Sequence, residues 1–238
     1  FRDGRAVWSC VPAFCDFPHR YRIYDLCDGA VTAHEERALL DRPVEAGRPA
    51  VFLDRDGVIT REGVWLEGPE RLALVPGAAA AIRDLRAAGF AVVVVTNQTA
   101  VGRGYLTSDL VAATHDHLCG LLTAEAGPEA QPDLILCSTG CSRAPVHPDL
   151  ADDQDAKPSP VLLERAVALL ALDRNRAWMV GDRTSDLEAG VRFGCPGILV
   201  RTGLGGEAAA KVAAGAGPAA AAVVDDLAAA AALIRARR

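Results

Sequence analysis

The stretch Ala50-Val51-Phe52-Leu53-Asp54-Arg55-Asp56-Gly57-Val58 decides how the rest of the chain is read. Four apolar residues in a row suit a short strand covered on both faces. Two carboxylates spaced i, i+2 come next, and then a glycine that eases a turn. Because the chain leaves strand geometry after Asp54, the side chains of Asp54 and Asp56 can reach the same site beyond the strand's carboxyl end. Asp-x-Asp-Gly alone is most often just a turn, so its meaning depends on the residues at the ends of the other strands.

Downstream, strands and helices alternate in the rhythm of an α/β fold. Pro76-Gly77 introduces an Ala-rich helix that ends at Gly89, a residue able to take the left-handed cap. Residues 91–95 are an unbroken Ala-Val run, expected as a strand buried on both faces. Thr107-Ser108 caps a helix to about Ala124, and residues 133–137 form the next strand. Ser159-Pro160 is expected to start a helix with Ser as N-cap and Pro in the first turn. Strands at 177–180 and 197–200 flank a helix from about Ser185 to Phe193, and a Val223-Val224 strand with a last helix closes the unit. Residues 208–236 are Ala-rich, which reads as helix packing through small side chains. The expected architecture is a doubly wound, mostly parallel sheet with helices on both faces, in which ligands bind beyond the carboxyl ends of the strands.

Upstream of Ala50 the composition changes. Six of the twelve aromatic residues (Phe1, Trp8, Phe14, Phe17, Tyr21, Tyr24) and three of the seven cysteines fall before residue 50. Asp3-Gly4 and Asp28-Gly29 punctuate short apolar runs, which suggests one or two hairpins. Thr32 to Leu40 reads as a short helix and Pro43 to Pro49 as a linker. Residues 1–49 are therefore expected to be an N-terminal appendage, or the tail of a preceding module, and residues 50–238 the main domain. The opening Phe1-Arg2-Asp3 has neither a starting Met nor a signal-peptide layout, as expected of a fragment or processed product.

The bulk numbers narrow the partners. A net charge of −6 and a pI near 5.4 disfavour nucleic acid. Charged residues, Gly or Pro interrupt every apolar run before it reaches the roughly 18–20 residues of a membrane span. Seven cysteines, an odd number spread through an α/β-type sequence, argue for reduced thiols and a cytoplasmic location. Of 25 basic residues only Lys157 and Lys211 are lysine, so position 157 stands out as one that needs a compact ammonium.

Four strand ends now carry one chemistry. Asp54-Arg55-Asp56-Gly57 comes after the first core strand, and Thr96-Asn97-Gln98 after the second. Lys157-Pro158 precedes a helix, and Gly181-Asp182-Arg183-Thr184-Ser185-Asp186 ends a later strand. Oxygen ligands from Asp54, Asp182 and a backbone carbonyl suit Mg²⁺. A Thr hydroxyl and a Lys ammonium can hold phosphoryl oxygens. Asp54 can serve as nucleophile for an aspartyl-phosphate, and Asp56 can protonate the leaving oxygen and then deprotonate water.

In this order the pieces resemble the haloacid dehalogenase (HAD) superfamily of phosphatases over about 150 residues. The resemblance implies a HAD-like fold with Asp54 as nucleophile and Asp56 as general acid/base. It implies Thr96, Asn97 and Lys157 at the phosphate, and Mg²⁺ bound by the Asp54 and Asp182 side chains with the Asp56 carbonyl. Asp186 matches a further acidic position that more often supports than ligates. Phe52-Leu53-Asp54-Arg55-Asp56-Gly57-Val58-Ile59 and Asn97-Gln98-x-x-x-Gly102-Arg103-Gly104-Tyr105 resemble more closely the heptose 1,7-bisphosphate phosphatase and histidinol-phosphatase group. That group has no large cap domain, so a small phosphorylated substrate is implied, with Arg55, Arg61 and Arg103 as candidate contacts for a second phosphate.

The chain departs from that group at its zinc loop. Thr139 stands where His is expected, and Asp153, Gln154, Asp155 and Ala156 replace the Cys-x-Cys-Arg run before Lys157. A rebuilt zinc site from Cys137, Cys141, His147 and an Asp is the alternative reading. Two cysteines near a strand end are more often simple thiols, so zinc is the less favoured metal. The expected activity is Mg²⁺-dependent hydrolysis of a small phosphomonoester, foremost a heptose bisphosphate. Histidinol phosphate is an alternative substrate. From another class, the alternative is a phospho-accepting signalling module without turnover.

Overall fold

In a computed structural model of the chain, residues 7–9, 19–27, 30–39, 46–61 and 68–237 are described. Three strands, β1 (Val7–Ser9), β2 (His19–Cys27) and β3 (Ala30–Leu39), form an antiparallel meander in which Cys27 lies opposite Ala30. The span read as a helix from Thr32 is thus an extended strand through Leu39. Its helix-forming residues are overridden by pairing with β2, since intrinsic propensity is a weak prior against tertiary context. The turns read at Asp3-Gly4 and Asp28-Gly29, and residues 43–45 of the Pro43–Pro49 linker, lie outside the described residues.

The second sheet positions the chemistry. It contains β4 (Ala50–Leu53), β5 (Ala91–Asn97), β6 (Leu134–Ser138), β7 (Ala177–Gly181), β8 (Gly197–Val200) and β9 (Ala222–Val224). All neighbours are parallel, in the order β6-β5-β4-β7-β8-β9. From β4 the chain first builds outward through β5 and β6, and then returns to β7 on the other side. The topological switch point therefore lies between β4 and β7, where a doubly wound sheet opens a crevice for ligand.

Among the described residues, six α-helices connect and cover these strands: α1 (Ala78–Ala87), α2 (Ser108–Ala126), α3 (Val161–Leu170), α4 (Thr184–Phe193), α5 (Gly205–Ala213) and α6 (Leu227–Ala236). Alternate residues of each buried strand feed opposite faces. Val51, Leu53, Val92 and Val94 pack with α1, α2 and α6, whereas Phe52, Val93, Val95 and Met179 pack with α3 and α4. Covering both faces is what lets β5 carry its unbroken Ala-Val run, and Ala91 through Val95 are all buried.

Local signals set most boundaries. The Thr107 hydroxyl accepts from Leu110 N at 3.1 Å to cap α2, and the Asp226 carboxylate accepts from Ala229 N to cap α6. The start of α3 differs from expectation: Pro160, not Ser159, occupies the cap position, without a side-chain bond. Ser159 belongs instead to a tight turn in which its N–H donates to the Ala156 carbonyl. Among the described residues no helix is long and apolar enough to cross a membrane. The described cysteines Cys119, Cys137, Cys141 and Cys195 are all free thiols.

Phe52 meets Phe193 edge-to-face at a centroid distance of 5.5 Å and joins the central strand to α4. Phe52→Ala should lower stability by about 3–5 kcal/mol in urea unfolding, because the cavity lies where the sheet cannot collapse. Leu169→Ala, at an exposed position on α3, should stay within about 0.5 kcal/mol of the parent.

Candidate active site

Asp54 is the first residue past β4, and its N–H donates to the Val180 carbonyl of β7 at 3.0 Å. That bond fixes it at the switch point. The chain then closes a tight loop in which the N–H groups of Ile59 and Thr60 donate to the Arg55 carbonyl, and Gly57 N–H donates to Thr60 O. Gly57 adopts φ +83°, and a Cβ there would drive into the Asp182 carboxylate. Gly203, at φ +58°, lies beside Gly57 against the same Asp182 oxygen, and a Cβ there would meet both that oxygen and the Gly57 Cα. Two glycines thus let three chain segments converge on Asp182.

Asp54, Asp182 and Asp186 are all buried and offer oxygens within 4.8 Å of one another. Lys157 sits between two of them, with Nζ 2.9 Å from Asp54 Oδ1 and 2.7 Å from Asp186 Oδ1. The other oxygen of Asp186 accepts from Arg183 N–H at 2.9 Å, so both its oxygens are engaged within the protein. Asp182 differs. Its Oδ2 accepts from Leu204 N–H at 2.8 Å, but its Oδ1 is buried without a hydrogen-bond partner. Both close contacts to Asp54, from Lys157 Nζ and Arg55 N–H, fall on Oδ1. A hard cation between Asp54 and Asp182 fits this donor set, since buried anionic oxygens otherwise lack compensation.

The electrostatics say the same. Burial pushes the Asp54 carboxyl up to about 7; Lys157 opposes the rise, and Asp186 and Asp56 add to it. Burial likewise pushes Asp182 up to about 7, against the pull of the Leu204 N–H. For Lys157 burial disfavours the ammonium, but Asp186 and Asp54 outweigh it and raise its pKa. One ammonium does not neutralise three buried carboxylates.

Asp56 lies in a cage of donors. Arg55 forks onto it through Nε at 3.1 Å and Nη2 at 2.8 Å. Gln98 Nε2 donates at 2.9 Å, and the Thr60 hydroxyl at 3.1 Å. Burial would raise the Asp56 carboxyl, but the Arg55 guanidinium, with Gln98 and Thr60, holds it below the usual carboxylate range. Gln98 Nε2 also donates to Thr96 Oγ1 at 2.9 Å, which leaves the Thr96 O–H to donate elsewhere. Asn97 makes a reciprocal pair with the Lys157 backbone, Nδ2 to O and Oδ1 from N–H, both at 2.9 Å.

A cavity of about 270 Å³ opens over these groups, walled by Asp54, Asp56, Thr96, Lys157, Arg183 and Ser185 among others. The sequence-predicted residues Asp54, Asp56, Thr96, Asn97, Lys157 and Asp182 therefore converge. Arg55 does not face the cavity: it is buried against Asp56. Arg103 lies outside the cavity wall, with Nε 3.3 Å from Cys141 Sγ. Arg61 is exposed and also outside that wall. Gln98 and Arg183 were not singled out in the sequence, although each lies within two residues of a strand-end site residue. Among the described residues, Asp54, Asp182 and Asp186 are the one group of three metal-ligating side chains close together. The loop carrying Cys141 and His147 is held by bonds within the protein. Cys141 N–H donates to Leu150 O, Ser142 N–H to Asp153 Oδ2, and the Ser138 hydroxyl to Asp155 Oδ1 at 2.6 Å.

Known proteins share this architecture. The HAD-hydrolase-like family model matches residues 155–230. A D-glycero-D-manno-heptose-1,7-bisphosphate 7-phosphatase of Thermosynechococcus vestitus is 40% identical over 162 residues, which cover 66% of this chain and 81% of that protein. The chain belongs to the HAD-like phosphatases. A second such relative, the D-glycero-beta-D-manno-heptose-1,7-bisphosphate 7-phosphatase of Rhodopseudomonas palustris, is 36% identical over 63% of this chain and 82% of its own length. The crystal structure of D,D-heptose 1,7-bisphosphate phosphatase from B. bronchiseptica, complexed with magnesium and phosphate, superposes with a TM-score of 0.67. It is 30% identical and covers 80% of this chain and 99% of that one. As a HAD-like phosphatase, the protein is a phosphoric monoester hydrolase.

Raised carboxyls have a consequence for stability. In metal-free protein, Asp54 and Asp182 bind protons more tightly folded than unfolded, so their contribution is complete below about 3.8 and is lost as pH rises through about 7. In EDTA the melting temperature should therefore fall between pH 5 and pH 8 (roughly the window these values span). Mg²⁺ should raise it more at the upper end, where both carboxylates are ionised. Differential scanning fluorimetry across that range checks both signs.

Proposed function

We propose that the domain formed by residues 50–238, to which residues 1–49 are an appendage, is a Mg²⁺-dependent phosphatase. Its substrate in this reading is a small sugar bisphosphate, foremost a heptose 1,7-bisphosphate. The observation that carries the mechanism is the buried set Asp54, Asp182, Asp186 and Lys157 at the switch point, with one Asp182 oxygen that accepts no hydrogen bond. The substrate class rests on the heptose bisphosphate activity named for relatives at 36–40% identity. A cavity of about 270 Å³ suits a small metabolite rather than a polymer.

Asp54 attacks the phosphorus through its second oxygen, because Oδ1 is already held by Lys157 and the Arg55 N–H. As the new O–P bond forms, the bond to the sugar oxygen breaks, and that oxygen takes its proton from the protonated form of Asp56, a form that the Arg55 fork opposes and that requires the fork to loosen. Thr96 O–H and the Lys157 ammonium take the transferring oxygens. Asn97 acts through its clasp on the Lys157 backbone, setting where the ammonium stands. Water then attacks the aspartyl-phosphate while Asp56, ionised by its Arg55 fork, accepts the proton. The Asp54 and Asp182 side chains and the Asp56 carbonyl would hold Mg²⁺, which would supply charge neutralisation at the phosphoryl group.

A panel of sugar phosphates and histidinol phosphate, assayed with Mg²⁺ and with EDTA, tests this reading. Heptose 1,7-bisphosphate should be the best substrate, and EDTA should abolish turnover. Asp54→Asn should lower kcat by roughly three orders of magnitude or more. Preference for histidinol phosphate would overturn the substrate class, and full activity of Asp54→Asn would overturn the mechanism.

A further inference from the structure

The segment that brings Lys157 into the site is pinned at two places, two residues apart. Asn97 and Ser138 lie side by side at the ends of β5 and β6, paired in register. The Asn97 amide holds the Lys157 backbone through its carbonyl and its N–H, both at 2.9 Å. The Ser138 hydroxyl donates to Asp155 Oδ1 at 2.6 Å. Ser138 is fully buried, and its own carbonyl accepts from Gln98 N–H at 2.7 Å. A hydroxyl–carboxylate bond of that length belongs to the strong, charge-assisted class.

Further contacts fasten the same loop. Ser142 N–H donates to Asp153 Oδ2 at 2.9 Å, and Cys141 N–H donates to the Leu150 carbonyl at 2.8 Å. Gly140 lies so close to the Asp152 carbonyl that a Cβ there would overlap it. Residues 138–142 and 150–155 thus run together as a clasp. The group that the chain resembles carries zinc ligands in this loop, and the side chains present here do not fit that metal. Thr139 takes the place of a His, and Asp153 and Asp155 take the places of two Cys. Both carboxylates already accept bonds from the facing limb of the loop. Cys141 Sγ donates to the Arg143 carbonyl at 3.0 Å and accepts from Arg103 Nε at 3.3 Å. Among the described residues, Cys137, Cys141 and His147 do not gather with a carboxylate into a metal-ligating group.

We infer that Asp155, held by Ser138, is a positioning residue that sets where the Lys157 ammonium stands, and that the clasp does so without a metal. This rests on the reading of Lys157 as a phosphate clamp. Asn97 alone would fix the segment at one point and let it pivot; the second pin removes that freedom, and a small misplacement of a clamp is costly in rate. Truncating Asp155 also leaves a buried hydroxyl without its acceptor.

The test uses the 238-residue chain with Mg²⁺ and p-nitrophenyl phosphate, and inorganic phosphate as competitive inhibitor. Asp155→Ala should lower kcat by roughly 10- to 100-fold and weaken inhibition by phosphate. Asp155→Asn, which keeps an acceptor toward Ser138, should recover most of that loss. In a Lys157→Ala background, Asp155→Ala should weaken phosphate inhibition no further, because its effect passes through Lys157. Ser138→Ala removes the donor instead of the acceptor, should show the same kcat loss, and keeps the test open if Asp155→Ala folds poorly. Full activity of Asp155→Ala and Ser138→Ala beside an impaired Lys157→Ala would overturn the inference alone. An unimpaired Lys157→Ala would overturn the clamp reading with it. Elemental analysis should find no stoichiometric zinc, and a zinc-selective chelator should leave the melting temperature unchanged. One zinc per chain whose removal lowers the melting temperature would contradict the metal-free clasp.

Discussion

Three buried carboxylates share one ammonium at the end of β4 and β7, and the rest of the structure arranges itself around that imbalance. Burial carries the Asp54 and Asp182 carboxyls to about 7 even with Lys157 between Asp54 and Asp186. Such a cluster is costly to bury with one ammonium alone, and the cost falls as carboxyls take up protons or a cation. The Asp182 oxygen that accepts no hydrogen bond, with Arg183 no nearer than 3.8 Å, marks the weakest compensation. The surrounding geometry serves the same point: Gly57 and Gly203 close on Asp182, and Asn97 clasps the Lys157 backbone. Asp54 is tied to β7 through Val180.

A second balance is struck at Asp56. Two residues from Asp54 along the same turn, it is surrounded by donors, so its carboxyl lies below the usual range while that of Asp54 lies above it. The lowered carboxyl suits Asp56 to the proposed role of base toward water, whereas its role as acid draws on the protonated form. Burial raises Asp54 and Arg55 lowers Asp56, so the arginine at this position is buried against the carboxylate it pairs with.

Much of this was legible in the sequence, for a physical reason. Strand ends in a doubly wound sheet all open on one edge, so Asp54, Thr96 and Asp182, each at the end of an apolar run, had to meet. The helices of the main sheet announced themselves through capping residues such as Thr107. The features that were not legible depend on side-chain direction or pairing partner. Arg55 and Arg103 are both arginines near the motifs, and only packing shows that one forks onto Asp56 and the other contacts Cys141. Gln98 and Arg183 carry no pattern of their own. The Thr32–Leu39 stretch has helical composition, and only its partner β2 makes it a strand. Ser159 lost its expected cap because the turn after Lys157 takes it first.

The proposed chemistry stands or falls on a covalent bond between Asp54 and phosphorus. The most direct measurement uses Asp56→Asn enzyme mixed with p-nitrophenyl phosphate and Mg²⁺, quenched in acid, and mapped by peptide mass spectrometry. The nitrophenolate leaves without a general acid, while hydrolysis of the intermediate lacks its base, so the phosphoryl-enzyme should accumulate. The account predicts one added phosphoryl group on the peptide containing Asp54, located at that residue. Release of nitrophenolate with no phosphoryl group on that peptide, or with the group on another residue, would contradict it.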